Sequence, residues 1–299
     1  MTGIALAVYL NMPPIQPRER DYVFVASFYF YSIWIGLGAL MIWDFLRKKL
    51  NPNIAAAGSG LILLLLVPVN MVAEEWDDHD RSNRTVPLAF GSNYLESCAP
   101  NAVLFTNGDN DTYPLWYAQE VEGIRDDIRI INLSLLNTDW YINQMRRPIN
   151  DADSIHLTMH PGKYKQGTRD YAIFYENHGL NIDKDKRQEL YDLLRFIASN
   201  DRSTQVQMQG GDWLDFFPTK KVKITVDKKA VLESGTVSED KADEIARVMS
   251  WNIRKGTSMK ADLVVLDLIA TNAKNGWIRP LDWAITTGSA ADTYMMPYV

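Results

Sequence analysis

The sequence predicts an α-helical membrane segment (two transmembrane helices plus the tail of another) followed by an α/β domain with a mostly parallel sheet. Three observations carry this reading. Of 31 basic and 37 acidic residues, positions 1–72 hold five (Arg18, Arg20, Arg47, Lys48, Lys49) and three (Glu19, Asp21, Asp44), which leaves 26 and 34 for 73–299, a balance of -8. Two long apolar runs lie in that sparsely charged first quarter. Beyond them strand and helix patterns alternate, the order that builds parallel sheets with helical crossovers. The averages over all 299 residues, 46% hydrophobic with a mean hydropathy of -0.20, conceal this division. The division excludes a uniformly soluble globule. No Lys/Arg stripe is present to carry a phosphate footprint, so no nucleic-acid partner is expected. Cys98 is the single cysteine, which excludes a disulfide scaffold.

Val23–Leu46 is a run of 24 residues whose one charge, Asp44, lies near its end. As a helix it would be about 36 Å long, enough to cross a hydrocarbon core of about 30 Å. Tyr22, Tyr29, Tyr31, Trp34 and Trp43 are distributed along it, some at interface depth. Ile54–Val72 supplies a second, uncharged run of 19 residues. Between the spans the loop 47–53 carries Arg47, Lys48 and Lys49, so the positive-inside rule makes it cytoplasmic. Both flanks then face the other side, and 73–299 becomes an extracytoplasmic, periplasmic domain. Ile4–Leu10 has neither the basic start nor the cleavage site of a signal peptide, and reads as the last turns of a further span. The chain is therefore expected to be a fragment of a longer membrane protein: 1–72 its last spans, 73–299 a domain cut at its C-terminus.

Within that domain Ala102–Thr106 reads as a buried strand, Asn107–Thr112 as a turn-rich loop, Tyr113–Ile124 as a helix with Pro114 in its first turn, and Ile128–Leu136 as a second strand. This is a βαβ unit. Helices are expected at Asp139–Arg146 and at Lys186–Ser199, where Leu190, Leu193, Leu194 and Ile197 recur at helical spacing. Lys221–Val226 alternates as a strand. Ser238 is placed to cap a helix over Glu239–Ile245, Lys260–Asn272 reads as an amphipathic helix, and Asp282–Thr286 as a strand.

Three segments could carry chemistry. Pro17-Arg18-Glu19-Arg20-Asp21-Tyr22 sits at the mouth of the first span; Arg18 and Arg20 offer planar guanidinium forks to an anionic head group, or the four charges neutralise one another. Asp77-Asp78-His79-Asp80-Arg81 follows the second span. Carboxylates beside an imidazole suit a cation or acid–base work, and suit equally well a solvated helix end. The third is Asn107–Thr112. Ligands of open parallel sheets bind outside the carboxyl ends of the strands, where Asp109 and Asp111 would face sugar hydroxyls, a metal or free helix amides. Its two charges and missing Lys exclude a phosphate cradle. No nucleophile elbow, P-loop, CxxC or HExxH motif occurs, His79, His156, His160 and His178 share no ligand spacing, and no metal site is assigned. Glycosylation sequons occur at Asn83, Asn110 and Asn132, a pattern common by chance.

The segment Pro17–Tyr22, the stretch Trp76–Ser82 (WDDHDRS), the long run Asn93–Tyr141 and Trp277–Thr287 (WIRPLDWAITT) together resemble one family of bacterial, Bacteroidetes-type, multi-spanning membrane proteins, long catalogued under a domain of unknown function and similar to protein O-mannosyltransferases. The resemblance covers nearly the whole chain. It implies a glycosyltransferase of the C superfamily in the bacterial inner membrane, which moves a hexose, mannose, from a polyprenyl-phosphate donor to hydroxyls of an exported protein acceptor. It implies a catalytic acid in the first extracytoplasmic loop, N-terminal to this chain. It also makes Arg18 and Arg20 candidates for the lipid-phosphate contact, and Asp77, Asp78, His79, Asp109 and Asp111 candidates for acceptor or ligand contact. No cofactor is expected besides the donor, and the partners are membrane lipid, donor and acceptor. Two other readings remain open: a non-catalytic glycan- or protein-binding module, and, ranked last because only Asp44 is ionisable within the spans, a transporter of lipid-linked sugar.

Overall fold

The computed structural model describes residues 4–10, 21–176, 179–180, 182–183 and 185–288. The chain forms two compact units, Met1–Arg84 and Thr85–Val299.

The first unit is helical: α1 (Ile4–Leu10), a 3-10 turn at Asp21–Phe24 that runs into α2 (Val25–Arg47), α3 (Pro52–Leu64) and α4 (Asn70–His79). Asn51 starts α3 by accepting the Asn53 amide at 3.0 Å, with Pro52 in the first position, where its missing N–H costs nothing. The π-helical turn Leu65–Val69 joins α3 to α4 and contains Pro68, which has no N–H to return to the preceding turn. Asp44 closes α2 through Arg47 and Lys48, at 2.6 and 2.8 Å. Where α2 and α3 meet, Ala55 and Ser59 are buried, and small side chains there let the two backbones approach. No side chain of α2 is buried; Trp34 is 70% and Met41 73% exposed. Apolar surface on that scale is unfavourable in water and favourable in lipid. The helical stretches Tyr22–Arg47 and Pro52–Asp77, 26 residues each, are long and apolar enough to cross a membrane.

The second unit opens with α5 (Val86–Ser97), which the apolar periodicity of the sequence did not single out, followed by β1 (Val103–Thr106), α6 (Asp109–Glu120) and β2 (Arg129–Asn132). After α7 (Asp139–Met145) come β3 (Tyr171–Phe174), β4 (Gln188–Glu189), α8 (Leu190–Ala198), β5 (Gln205–Gln207) and β6 (Trp213–Phe217). The chain continues through β7 (Lys221–Thr225), α9 (Lys228–Glu233), β8 (Val248–Asn252), β9 (Thr257–Met259), α10 (Lys260–Lys274) and β10 (Leu281–Trp283). Three sheets result. One is wholly parallel, in the order β10-β1-β2; the others, β5-β6-β3-β9 and β4-β7-β8, mix parallel and antiparallel pairs.

Several expected boundaries move. α6 begins four residues before Tyr113, because Gly108, at φ +98°, makes the turn by itself and lets Asp109 open the helix. Pro114 consequently lies inside the helix and not in its first turn. The strand expected over Ile128–Leu136 stops at Asn132, whose side chain takes the amides of Ser134 and Leu135 and turns the chain into a 3-10 segment, Leu135–Asn137. Lys186–Ser199 divides into β4 and α8. Glu239–Glu244 is a 3-10 turn, and the Ser238 side chain makes no capping bond to it. The last strand is Leu281–Trp283, and Ile285–Thr287 forms a 3-10 turn after it. α10 is not amphipathic but buried nearly all round, as suits the central helix of a core. Its Asp267, fully buried, accepts from the Thr158 amide at 3.0 Å, the Thr158 hydroxyl at 2.6 Å, the Met159 amide at 3.2 Å and the Tyr164 hydroxyl at 2.6 Å, which fastens the irregular 150s loop to the helix.

The parallel sheet divides the core. Val103, Phe105 and Ile131 face α7 and α10, whereas Leu104, Ile128 and Ile130 face α5 and α6, as the two-residue period of strands requires. β2 is an outer strand, and its free edge is covered by side chains: Tyr141 Oη accepts from the Asn132 amide at 3.0 Å and donates to the Ile130 carbonyl at 3.5 Å, while Gln119 donates to the Ile128 carbonyl at 2.9 Å. On the other face α5 lies directly on α6 at Gly91. A Cβ there would stand 2.5 Å from the Pro114 carbonyl oxygen and 3.2 Å from Ala118 Cβ. Gly91→Ala is therefore expected to lower stability by about 1–3 kcal/mol, read as a fall in urea midpoint for the full chain, because backbone cannot give way as a flexible side chain does. An unchanged midpoint would contradict this contact.

Candidate functional site

The carboxyl ends of β1, β2 and β10 form one edge, and α6 starts from it. At its centre is the Thr112 hydroxyl. It donates to the Gly108 carbonyl at 2.6 Å and accepts from Asn132 Nδ2 at 2.9 Å and from Thr106 Oγ1 at 2.8 Å, so β1, α6 and β2 meet at one oxygen. Asp111, 1% exposed, accepts the Asn107 amide at 2.9 Å and the Thr112 amide at 3.0 Å, and also the Thr286 hydroxyl from the segment after β10. A carboxylate in the first turn of a helix is favoured by the unpaired amides there. Around this buried knot runs an exposed polar rim of Asn107, Asp109, Ser134 and Thr286, with Ser134 Oγ 3.1 Å from Asn107 Oδ1. Hydroxyl, amide and carboxylate groups side by side can exchange hydrogen bonds with a polyhydroxylated or peptide ligand.

The other residues singled out in the sequence are dispersed. Asp77 is exposed near the end of α4, in the first unit. The side chains of Asp78 and His79 lie outside the described part of the structure, as do Arg18 and Arg20. Asp80 holds the Ser82 amide at 2.9 Å. His160 caps a 3-10 turn by accepting the Gly162 amide at 3.2 Å, and His178 lies outside the described residues. Among the described residues no group of three or more His, Cys, Asp or Glu is arranged to hold a metal ion. Of the three sequons, Asn132 is closed in the folded domain, since it is 3% exposed with its amide committed on both sides.

Comparison with known proteins bears on this unit directly. Residues 87–299 match the family model of the TMEM260-associated domain 2, a span that begins two residues into the second unit. The chain belongs to this family. It is also similar to the protein O-mannosyl-transferase tmem260 of Dictyostelium discoideum, 25% identical over 146 residues, a match covering 44% of this chain. That match spans only 18% of the relative's length. No solved structure matches the chain. With two membrane-length apolar helices in the same chain, the protein is a membrane protein related to protein O-mannosyltransferases.

The opposite, amino end of the TMEM260-associated domain's parallel sheet is organised by charge, a feature the sequence offered no periodic signal for. Arg125 donates Nε to Asp127 at 2.8 Å, Nη1 to the carbonyls of Leu95 and Cys98 at 3.1 Å each, and Nη2 to that of Ala99 at 3.2 Å, thereby gathering the end of α5 beside β1 and β2. Asp127 Oδ2 accepts the Asn101 amide at 2.8 Å. The Arg125 hydrogen bond, helped by the Asn101 amide, holds the Asp127 carboxyl below its ordinary value, although partial burial opposes this. Nearby, burial and the Asp282 carboxylate push the Cys98 thiol up to about 11, so it stays an unreactive thiol at neutral pH. A depressed carboxyl contributes stability that is complete above its unfolded value and is lost as pH falls through the lower folded one. Asp127→Asn should thus cost about 1 kcal/mol at neutral pH, the exposed part of the pair being screened by solvent. The difference from wild type should narrow once pH drops below the ordinary Asp value of 3.8, as followed by urea unfolding at a series of pH values. A constant difference would contradict the charge-based account.

Proposed function

We propose that the chain is part of a membrane glycosyltransferase of the bacterial inner membrane that transfers a hexose, mannose, from a polyprenyl-phosphate donor to hydroxyls of exported proteins. The observation carrying this reading is the family match over 87–299, joined in one chain to two apolar helices and to a partial likeness with a protein O-mannosyl-transferase. The loop 47–53, with its three positive charges, faces the cytoplasm, and the domain 73–299 faces the acceptor on the other side. Arg18 and Arg20, beside the first span, hold the lipid phosphate through guanidinium forks. The catalytic base belongs to another part of the whole protein. In the domain, Asp109 and the rim around it contact the acceptor, and the residues Asp77, Asp78 and His79 are offered where the chain leaves the second span. No metal step is invoked.

A second reading, a non-catalytic glycan- or protein-binding module, is favoured by the internal commitment of Asp111, whose two oxygens accept donors from the fold itself. Both readings are separated by one assay. Membranes containing the whole protein are supplied with labelled mannosyl polyprenyl phosphate and a Ser/Thr acceptor. Label is expected on the acceptor, with at least a tenfold loss in Arg18→Ala and Arg20→Ala at normal membrane insertion. Asp109→Asn is expected to raise the acceptor KM with kcat held. Full transfer in both arginine variants would contradict the phosphate role, and a complete absence of transfer from the wild-type protein would leave the binding module.

A further inference from the structure

Off the outer edge of β2 lies a cavity of about 420 Å³. The carboxyl-edge rim is at the opposite end of α6, so this is a separate place on the domain. Two indoles line it, Trp116 of α6 and Trp140 of α7, the latter 56% exposed. Glu120, Asp126 and Asn150 add carboxylate and amide groups, and Asn150 Nδ2 already bonds Glu120 Oε1 at 3.1 Å. Arg129, 3% exposed, completes the wall. Its Nη2 donates to the Gln144 and Arg147 carbonyls at 2.9 Å each, while Nε and Nη1 have no partner. These two nitrogens are themselves buried, so Arg129 contributes to the cavity as the positive charge behind its wall.

The chemistry of these walls selects among ligands. Two carboxylates against one guanidinium leave no excess of positive charge, which disfavours a phosphate or another anion. A peptide strand cannot add to the β2 edge, because Tyr141 and Gln119 already occupy its outward carbonyls and the Asn132 amide. A pyranose fits both kinds of surface: its apolar C–H face lies against an indole, and its hydroxyls both donate and accept. The volume is in the range of small-molecule sites and suits one or two sugar rings.

We propose that this cavity binds a neutral mono- or disaccharide, stacked on Trp140 and hydrogen-bonded by Glu120 and Asp126. The proposal rests on the glycosyltransferase reading for the choice of hexose. It makes the domain a reader of sugar already attached to the acceptor, apart from the rim that meets the acceptor chain.

The test uses the full chain in a detergent without a sugar head group, with mannobiose as probe, followed by saturation-transfer NMR and titration calorimetry. Mannobiose should bind, Trp140→Ala and Asp126→Asn should each weaken it at least tenfold, and Trp213→Ala, an exposed indole on β6, should leave it unchanged. No binding, or equal effects of Trp140→Ala and Trp213→Ala, would overturn the proposal. Mannose 6-phosphate binding more tightly than mannobiose would overturn its neutral-ligand claim. Sugar transfer by the whole protein without mannobiose binding sinks the cavity and leaves the transferase reading intact. Trp140-dependent binding with no transfer does the reverse.

Discussion

The Thr112 hydroxyl gives its proton to Gly108 and receives one from Thr106 and one from Asn132, and the parallel sheet is organised around that exchange. Strands of three and four residues make few ladder bonds, so β10, β1 and β2 need further ties where they end. At the carboxyl end those ties are neutral or singly charged, short and buried, with every donor in the knot matched to an acceptor. Such a network is worth more when complete than when partly satisfied. It also fixes the start of α6, which places Asp109 and Asn107 at the surface while drawing Asp111 inside.

At the amino end the same problem is met with guanidinium groups. Arg125 gathers the carbonyls at the end of α5, Arg129 those at and just after the end of α7, and Arg279 bonds the Asn101 and Asp153 carbonyls at 3.0 and 2.9 Å. Only Arg125 among these three is matched with a carboxylate in a direct ion pair among the described residues. Burial pushes Arg279 down to about 10, still charged at neutral pH. Carbonyl dipoles therefore take much of the work that counter-ions do elsewhere, and donors remain over, on Arg129 at the wall of a cavity and on Arg279 in the core.

The sequence exposed those features that depend on local pattern. The spans follow from uninterrupted apolar length, and β1, α7, α8 and β7 from periodicity. What escaped it depends on partners far along the chain. β3, β5, β6 and β9 are three to five residues long, too short to show a period of their own, and are strands because of the neighbours they pair with. α5 is broken in pattern by Gly91, which is there for α6 and not for its own helix. The acidic loop showed carboxylates at a strand end, but nothing local separates Asp111 from Asp109. Burial does so, through Thr286, 175 residues away. Arg129 likewise reads as an unremarkable first residue of a strand until the carbonyls of Gln144 and Arg147 close on it.

Membership in the TMEM260-associated family and the two apolar helices place this domain in a membrane protein related to O-mannosyltransferases, and the rigidity of the carboxyl edge gives that domain a fixed surface to present. The shared hydroxyl holds this edge together. Its most direct measurement is a double-mutant cycle, Thr106→Val with Thr112→Val, in urea unfolding of the full chain, since valine keeps the shape and removes only the hydroxyl. A single closed network predicts that the two losses overlap, with a coupling of about 1 kcal/mol or more. Losses that simply add would contradict it.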